Sequence, residues 1–241
     1  MKFPEEIRLN KPERKAKLLQ WFYEKHHENR NYAVAKDDKK KLAFFKDHFK
    51  KHGLRVDLGI DLGCRAGAFT KQMREFGNWV GVDIDSVAIK LAQENGIPAI
   101  QSDISTALDF KDDVFDAVIL TEVLEHLPYP IITLKEIHRI LNKNNKSVFM
   151  GSVPLYYNLH RRFAVFRGKR LTIDPTHLHS FSYKELNSLL RHYFHHVEFK
   201  AISGTKARIK WLPWDNFLKN IAWIAYSPKQ IVKDPKIKLI E

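Results

Sequence analysis

The chain has 241 residues, 44% of them apolar, and its 41 Lys and Arg outnumber 28 Asp and Glu to give a formal charge of +13. That is enough to bury one sizeable core as a single domain with appendages. The one cysteine, Cys64, excludes both a disulfide framework and a cysteine-based zinc site within the chain.

Residues 1–52 hold 15 Lys and Arg against 8 Asp and Glu, including the run Lys39-Lys40-Lys41. Glu5, Glu6 and Arg8 stand where a signal peptide would be apolar, and no apolar run approaches the ~20 residues of a membrane span. A cytoplasmic protein without a membrane span is the expectation. Leu18, Leu19 and Phe22 suggest one helix, and Leu42, Phe45 and Phe49 a second, ended by Gly53, so residues 1–52 read as a helical N-terminal extension. The second helix is amphipathic and either packs on the domain or covers its ligand.

A strand is expected over 56–61, closed by Asp61, and a helix after it carries Phe69, Met73 and Phe76 before Gly77. Between them, Asp61-Leu62-Gly63-Cys64-Arg65-Ala66-Gly67 forms a glycine turn between strand and helix, the first half of a βαβ unit. In such sheets ligands sit beyond the carboxyl ends of the strands, where glycine admits the backbone and helix-start N–H groups face the ligand. Dinucleotides use the same layout, but their fingerprint needs glycine where Arg65 stands, whereas Gly67 falls where D-x-G-x-x-x-G requires it. The spacing favours a nucleoside cofactor other than a dinucleotide, and points to S-adenosylmethionine.

The next strand, 79–82, ends in Asp83 and Ile84, placed for a carboxylate to accept from both ribose hydroxyls. Ser86 is the expected cap of a helix bearing Val87, Ile89 and Leu91 and stopped by Gly96. A short strand at 99–101 runs into Asp103 and Ile104, an acceptor for an adenine amino group and an apolar cover for its ring. Each acid by itself could be a helix cap or a solvated loop residue; three at successive strand ends, in register with a glycine turn, form a pattern.

A fourth strand over 115–121 ends at Thr121 and is followed by Glu122-Val123-Leu124-Glu125-His126. Pro130 suits the first turn of a helix presenting Leu134, Ile137 and Leu141. A fifth strand over 147–153 leads to an irregular insertion at 154–178. Arg161, Arg162, Arg167, Lys169 and Arg170 interleave there with Phe163, Val165 and Phe166, a mixture suited to a lid over a charged or extended substrate. Ser182 and Glu185 form a capping box opening a helix with Leu186, Leu189 and Leu190, and segments 195–203 and 220–226 would make a closing antiparallel pair.

In that order, the glycine turn, Gly81-Val82-Asp83-Ile84-Asp85, Ser102-Asp103-Ile104, 115–120 and Thr121 to Leu127 resemble the successive motifs of the class I S-adenosylmethionine-dependent methyltransferases, over residues 53–228. The resemblance implies an α/β Rossmann-like, doubly wound sheet of seven mostly parallel strands with an antiparallel closing strand, a lid at 154–180 and a tail at 229–241. It implies that Asp61, Gly63 and Gly67 hold the methionine end of the cofactor, Asp83 the ribose, and Asp103 with Ile104 the adenine, with Cys64, Arg65, Ile84 and Thr121 also lining the cradle. Family members often carry glycine where this chain has Arg65.

If a helical turn begins after the fourth strand, Glu122, Glu125 and His126 at i, i+3 and i+4 share one face, and His177 and His179 return from the insertion to the same pocket. The carboxylates could instead cap turns or pair with insertion arginines, with His126 bonded to backbone. The arrangement is similar to the metal quartet of small-RNA 2′-O-methyltransferases and to the corresponding motif of ubiquinone-biosynthesis O-methyltransferases. That likeness implies Glu122, Glu125, His126 and His177 as ligands for Mg²⁺, Mn²⁺ or Zn²⁺. Methyl transfer from a sulfonium is an in-line displacement, and His126, His177 and Glu125 are the candidates for proton handling. The expected activity is O-methylation of an anionic or glycan-like small molecule; RNA is the second substrate class, and a cofactor-holding regulatory module bound to a partner protein the third reading. Trp211, Trp214 and Trp223 are expected to pack against the closing strands, with Lys206, Arg208 and Lys210 beside them open to nucleic acid, and His26, His27, His192, His195 and His196 to lie at the surface or strand edges.

Overall fold

The computed structural model describes residues 36–170, 174, 176–204 and 217–230. The expectations at 18–22, at His26 and His27, at 206–214 and for most of the tail lie outside these residues. In chain order the elements are α1 (Lys36–His52), β1 (Val56–Leu62), α2 (Ala68–Met73), β2 (Gly77–Asp83), α3 (Ser86–Glu94), β3 (Ala99–Gln101), β4 (Ala117–Thr121), α4 (Pro130–Ile140), β5 (Val148–Pro154), α5 (Leu159–Phe166), α6 (Tyr183–Tyr193), β6 (Phe194–Gly204) and β7 (Leu218–Pro228). The strands form one seven-stranded sheet in the order β3-β2-β1-β4-β5-β7-β6. β7 runs antiparallel to both β5 and β6, and the remaining pairs are parallel. The sheet, with its closing pair, is the one the sequence implies. No helix among the described residues is long and apolar enough to cross a membrane.

Strand alternation builds two cores. Val118 and Leu120 of β4 join Ile60, Phe149 and Trp223 under Leu134, Ile137, Leu186 and Leu190 of α4 and α6. Ala117 and Ile119 face the other way, where Met150 and Ile224 meet Phe45 and Phe49 of α1 and Met73 of α2. α1 thus packs against the sheet, and its first turns reach the crevice at the strand ends. Gly53 ends it with a left-handed φ of 59°.

Four local details differ from expectation. Asp85, rather than Ser86, caps α3, accepting from Val87 N and Ala88 N at 2.9 and 3.2 Å; a carboxylate is a strong cap, and Ser86 becomes the first helical residue. Phe76 lies beyond α2, in a tight 3-10 turn from Arg74 to Phe76. Leu141 follows α4 as its C-cap, although it remains fully buried. The insertion contains a real helix, α5, because Asn158 caps it by accepting from Arg161 N at 3.1 Å. The capping box of Ser182 and Glu185 forms as expected.

Candidate active site

The tips of β1, β2 and β4 open into a cavity of about 470 Å³, lined on one side by Asp61, Asp83 and Asp103 and on the other by Glu125, His126 and His177. The three acids share one crevice. Gly63, Cys64, Arg65, Ile84, Ile104 and Thr121 line it too. Gly63 has φ 81°, and a Cβ there would lie 2.4 Å from Val123 Cγ2, so glycine lets the turn cross the end of β4. Gly67 does not line the cavity. With φ 73° it forms the N-cap of α2, and its missing Cβ makes room for Ile97, so it is a packing glycine that shapes the cradle from behind.

Each acid also has local work. Asp83 accepts from Arg65 N at 2.8 Å through Oδ2 and from Asp85 N at 3.0 Å through Oδ1, tying the glycine turn to the next one. Arg65 itself sits at φ 50°, the left-handed geometry that explains a glycine preference at this position. Asp103 accepts from Ser105 N at 2.8 Å. Asp61 is buried and accepts from Thr70 Oγ1 at 2.6 Å. Burial raises its carboxyl to about 7, opposed by the Thr70 bond and reinforced by the charge of Asp83. A cationic group beside Asp61 would reverse that cost. Burial, with Asp83 and Asp61 nearby, also pushes the Cys64 thiol up.

Glu122 separates from the expected quartet. Its φ of 54° reverses the chain, and the helical turn starts later, spanning Leu124 to His126. The Glu122 carboxylate therefore faces α1 and β7, accepting from Lys41 Nζ at 3.0 Å, Ser152 Oγ at 2.6 Å and Asn220 Nδ2 at 2.9 Å. Burial pushes its carboxyl up, but the Lys41 charge and these bonds outweigh it and hold it below the ordinary value. Lys41 in turn is desolvated, yet Glu122 and Asp38 raise it above the usual lysine value.

Glu125, His126 and His177 do come together, with ligating atoms within 4.8 Å of one another. Glu125 is fully buried, and neither of its carboxyl oxygens has a hydrogen-bond partner among the described residues. Burial first, then the charge of Glu122, drives its carboxyl well above the usual range. Its backbone carbonyl accepts from Leu178 N and His179 N at 2.9 and 3.0 Å, which fastens the returning insertion to the pocket wall. His126 Nδ1 lies 3.1 Å from the Thr176 carbonyl, an N–H donation that makes Nε2 the basic nitrogen; Nε2 is 4.0 Å from Glu125 Oε1. His177 crosses His126 edge-on at 4.5 Å, and its Nδ1 pairs with the Tyr156 hydroxyl. His179 instead reaches the Pro128 carbonyl at 3.3 Å.

Asp37, Asp38, Lys41, Asp174 and Asn220 also line the cavity and were not expected there. Acids and a lysine in the first turns of an amphipathic helix were the available signal for α1. Asn220 gives none locally, because it arrives through the register of β7 on β5. In the insertion, Arg161 lies 4.3 Å over the Tyr156 ring and Arg167 4.4 Å over Phe163, while Phe166 is 87% exposed. His195 and His196 are exposed, and Trp223 is core, as expected.

Sheet order, glycine turn and the row of acids define the fold of a class I S-adenosylmethionine-dependent methyltransferase. Residues 60–149 match the family described as a methyltransferase domain. An uncharacterized protein of Methanocaldococcus jannaschii is 32% identical over 90 residues, 37% of this chain and 42% of that protein. A ubiquinone biosynthesis O-methyltransferase of Nitrosococcus oceani is 27% identical over 116 residues, 45% of this chain and 48% of that one. The chain thus spans about half the length of the curated relatives it matches. The crystal structure of a SAM-dependent methyltransferase from Archaeoglobus fulgidus shares the fold, with a TM-score of 0.55 and 18% identity over 87% of this chain and 99% of that one. Residues 60–149 are thus similar to methyltransferase domains, and the chain has the fold of the class I S-adenosylmethionine-dependent methyltransferases.

Proposed function

We propose that this chain transfers the methyl group of S-adenosylmethionine to an oxygen of an anionic or glycan-like small molecule. The observation that carries this reading is the buried Glu125, both oxygens without a hydrogen-bond partner among the described residues, beside two imidazoles in the cavity that the three acids share. A buried polar group left unbonded is costly, so the site is built for a ligand that completes it. Asp61 suits the ammonium of the methionine end, Asp83 the ribose hydroxyls and Asp103 with Ile104 the adenine.

The cofactor supplies an electrophilic methyl carbon on a sulfonium. Bound in the crevice, it would offer that carbon to an acceptor oxygen for in-line displacement, with the sulfur keeping the bonding pair and leaving as a neutral thioether. The acceptor proton passes to His126 Nε2, whose ring is oriented through Nδ1 by Thr176. Glu125, buried and with neither carboxyl oxygen partnered among the described residues, would orient the acceptor through a hydrogen bond. His177, braced by Tyr156, closes the far wall. The basic and aromatic α5 of the insertion suits an anionic acceptor.

Glu125, His126 and His177 also fit a divalent ion, since one carboxylate and two imidazoles within 4.8 Å match the donors of Mn²⁺ or Zn²⁺ more than Mg²⁺. Bound there, such an ion would lower the acceptor hydroxyl's pKa. Glu122 is committed to Lys41 and stands outside this set. Calorimetry with S-adenosylmethionine is the first test, followed by methyl-transfer assays on candidate acceptors with and without chelator. No cofactor binding to the wild-type chain would end the enzyme reading and leave a regulatory module. If RNA is the acceptor, binding falls steeply with salt, whereas a pocketed small molecule responds weakly.

A further inference from the structure

At the end of α1 far from the cofactor cavity, His48 and His52 stand one helical turn apart and face Glu198 of β6. Their imidazole centroids are 4.5 Å apart, and His48 Nδ1 lies 3.9 Å from Glu198 Oε2. That separation is too long for a hydrogen bond. The ligating atoms of all three residues nevertheless fall within 4.8 Å of one another. His48 is buried, and its ring lies 5.4 Å from that of Tyr226 on β7. Tyr226 on β7 donates its hydroxyl to Glu198 Oε1 at 3.1 Å, holding that oxygen while Oε2 is presented toward His48. Outer partners of this kind orient metal-binding carboxylates.

We infer that His48, His52 and Glu198 form a second metal site, for a divalent ion of the zinc class. Two imidazole nitrogens and one carboxylate oxygen suit Zn²⁺ with a water in the fourth position, whereas Mg²⁺ and Ca²⁺ favour all-oxygen shells. The positive charge of Lys51 opposes a cation here and makes the site weaker than a closed four-ligand centre. An ion at this place ties α1 to the antiparallel edge of the sheet. The same helix carries Asp38 and Lys41 to the cofactor cavity, so the ion would fasten the helix that covers that cavity. This site is independent of the proposed reaction and of the trio at Glu125.

The test uses the full chain, stripped with chelator, carrying His126→Ala and His177→Ala so that the trio at Glu125 contributes nothing. Titration with Co²⁺ is expected to produce visible d–d absorption of near-tetrahedral intensity, saturating at one equivalent and displaced by Zn²⁺. Adding His52→Ala or Glu198→Gln should weaken binding about tenfold or more, and Tyr226→Phe by a smaller factor. Zn²⁺ should also raise the melting temperature of the parent and leave that of the His52→Ala variant unmoved. Equal affinity in the parent, His52→Ala and Glu198→Gln proteins, or no visible band at stoichiometric Co²⁺, would overturn the assignment. His52 is exposed and Glu198 half-exposed, so circular dichroism of the metal-free variants separates loss of ligand from loss of fold.

Discussion

The two halves of the crevice are built by different logic. On the β1–β3 side, the crevice residues fall in short runs at successive strand ends, and each acid is held from nearby in the chain or from the adjoining turn: Asp61 by the Thr70 hydroxyl, Asp83 by Arg65 N and Asp85 N, and Asp103 by Ser105 N. On the β4–β5 side, the partners arrive from far along the chain: Lys41 and Asn220 on Glu122, Thr176 on His126, Tyr156 on His177. A cradle made of local turns suits a constant ligand.

The largest expected effect breaks the local half. Asp83→Ala removes the proposed ribose acceptor and the tie between two turns, and should weaken S-adenosylmethionine binding about a hundredfold by calorimetry, since each lost bond to a charged group is worth ~1.5–3 kcal/mol. Next, the distant half: His126→Ala should lower the methyl-transfer rate by ~10²-fold or more with cofactor affinity unchanged. If instead cofactor affinity falls with it, the two halves are one site and the contrast fails.

A smaller effect tests what holds the distant half together. Lys41→Met strands Glu122 beneath α1 and should cost about 2 kcal/mol in denaturant unfolding, below the usual figure for a fully buried pair because a third of Glu122 remains exposed. Glu122 is held below its ordinary carboxyl value, so its contribution is present above the unfolded pKa and fades as pH falls through the depressed folded value. The stability difference between Lys41→Met and wild type should shrink in acid over that range.

The mildest test concerns Asp61, whose carboxyl is raised from 3.8 to about 7. Between these values the native state holds a proton that the unfolded chain has released, so stability without cofactor falls as pH rises from 4 to 7. Asp61→Asn should therefore raise the melting temperature of the cofactor-free protein by a few degrees at pH 8 and by less at pH 5. In the wild type, binding the cofactor's ammonium should release a proton near pH 7, read as buffer-dependent binding enthalpy.

The same contrast explains what could be read in the chain beforehand. The strands, glycine turn and acids are signalled by short-range period and spacing, and they stand where expected. Glu122 misled because helical spacing from 122 to 126 assumes an unbroken turn, and a left-handed residue at the strand end breaks it. Gly67 misled because spacing alone does not tell a glycine that touches ligand from one that admits Ile97. The roles of Lys41 and Asn220 depend on how α1 and β7 dock, which no local pattern encodes.

Cys64 gives the cradle a native reporter. It is the chain's one thiol, packed against Gly81 on the crevice wall and 4% exposed, and burial pushes its pKa up. Maleimide or iodoacetamide can modify it only when the glycine turn lifts from the sheet, so its alkylation rate counts those openings without any engineered label. A nucleoside that closes the crevice should slow that clock.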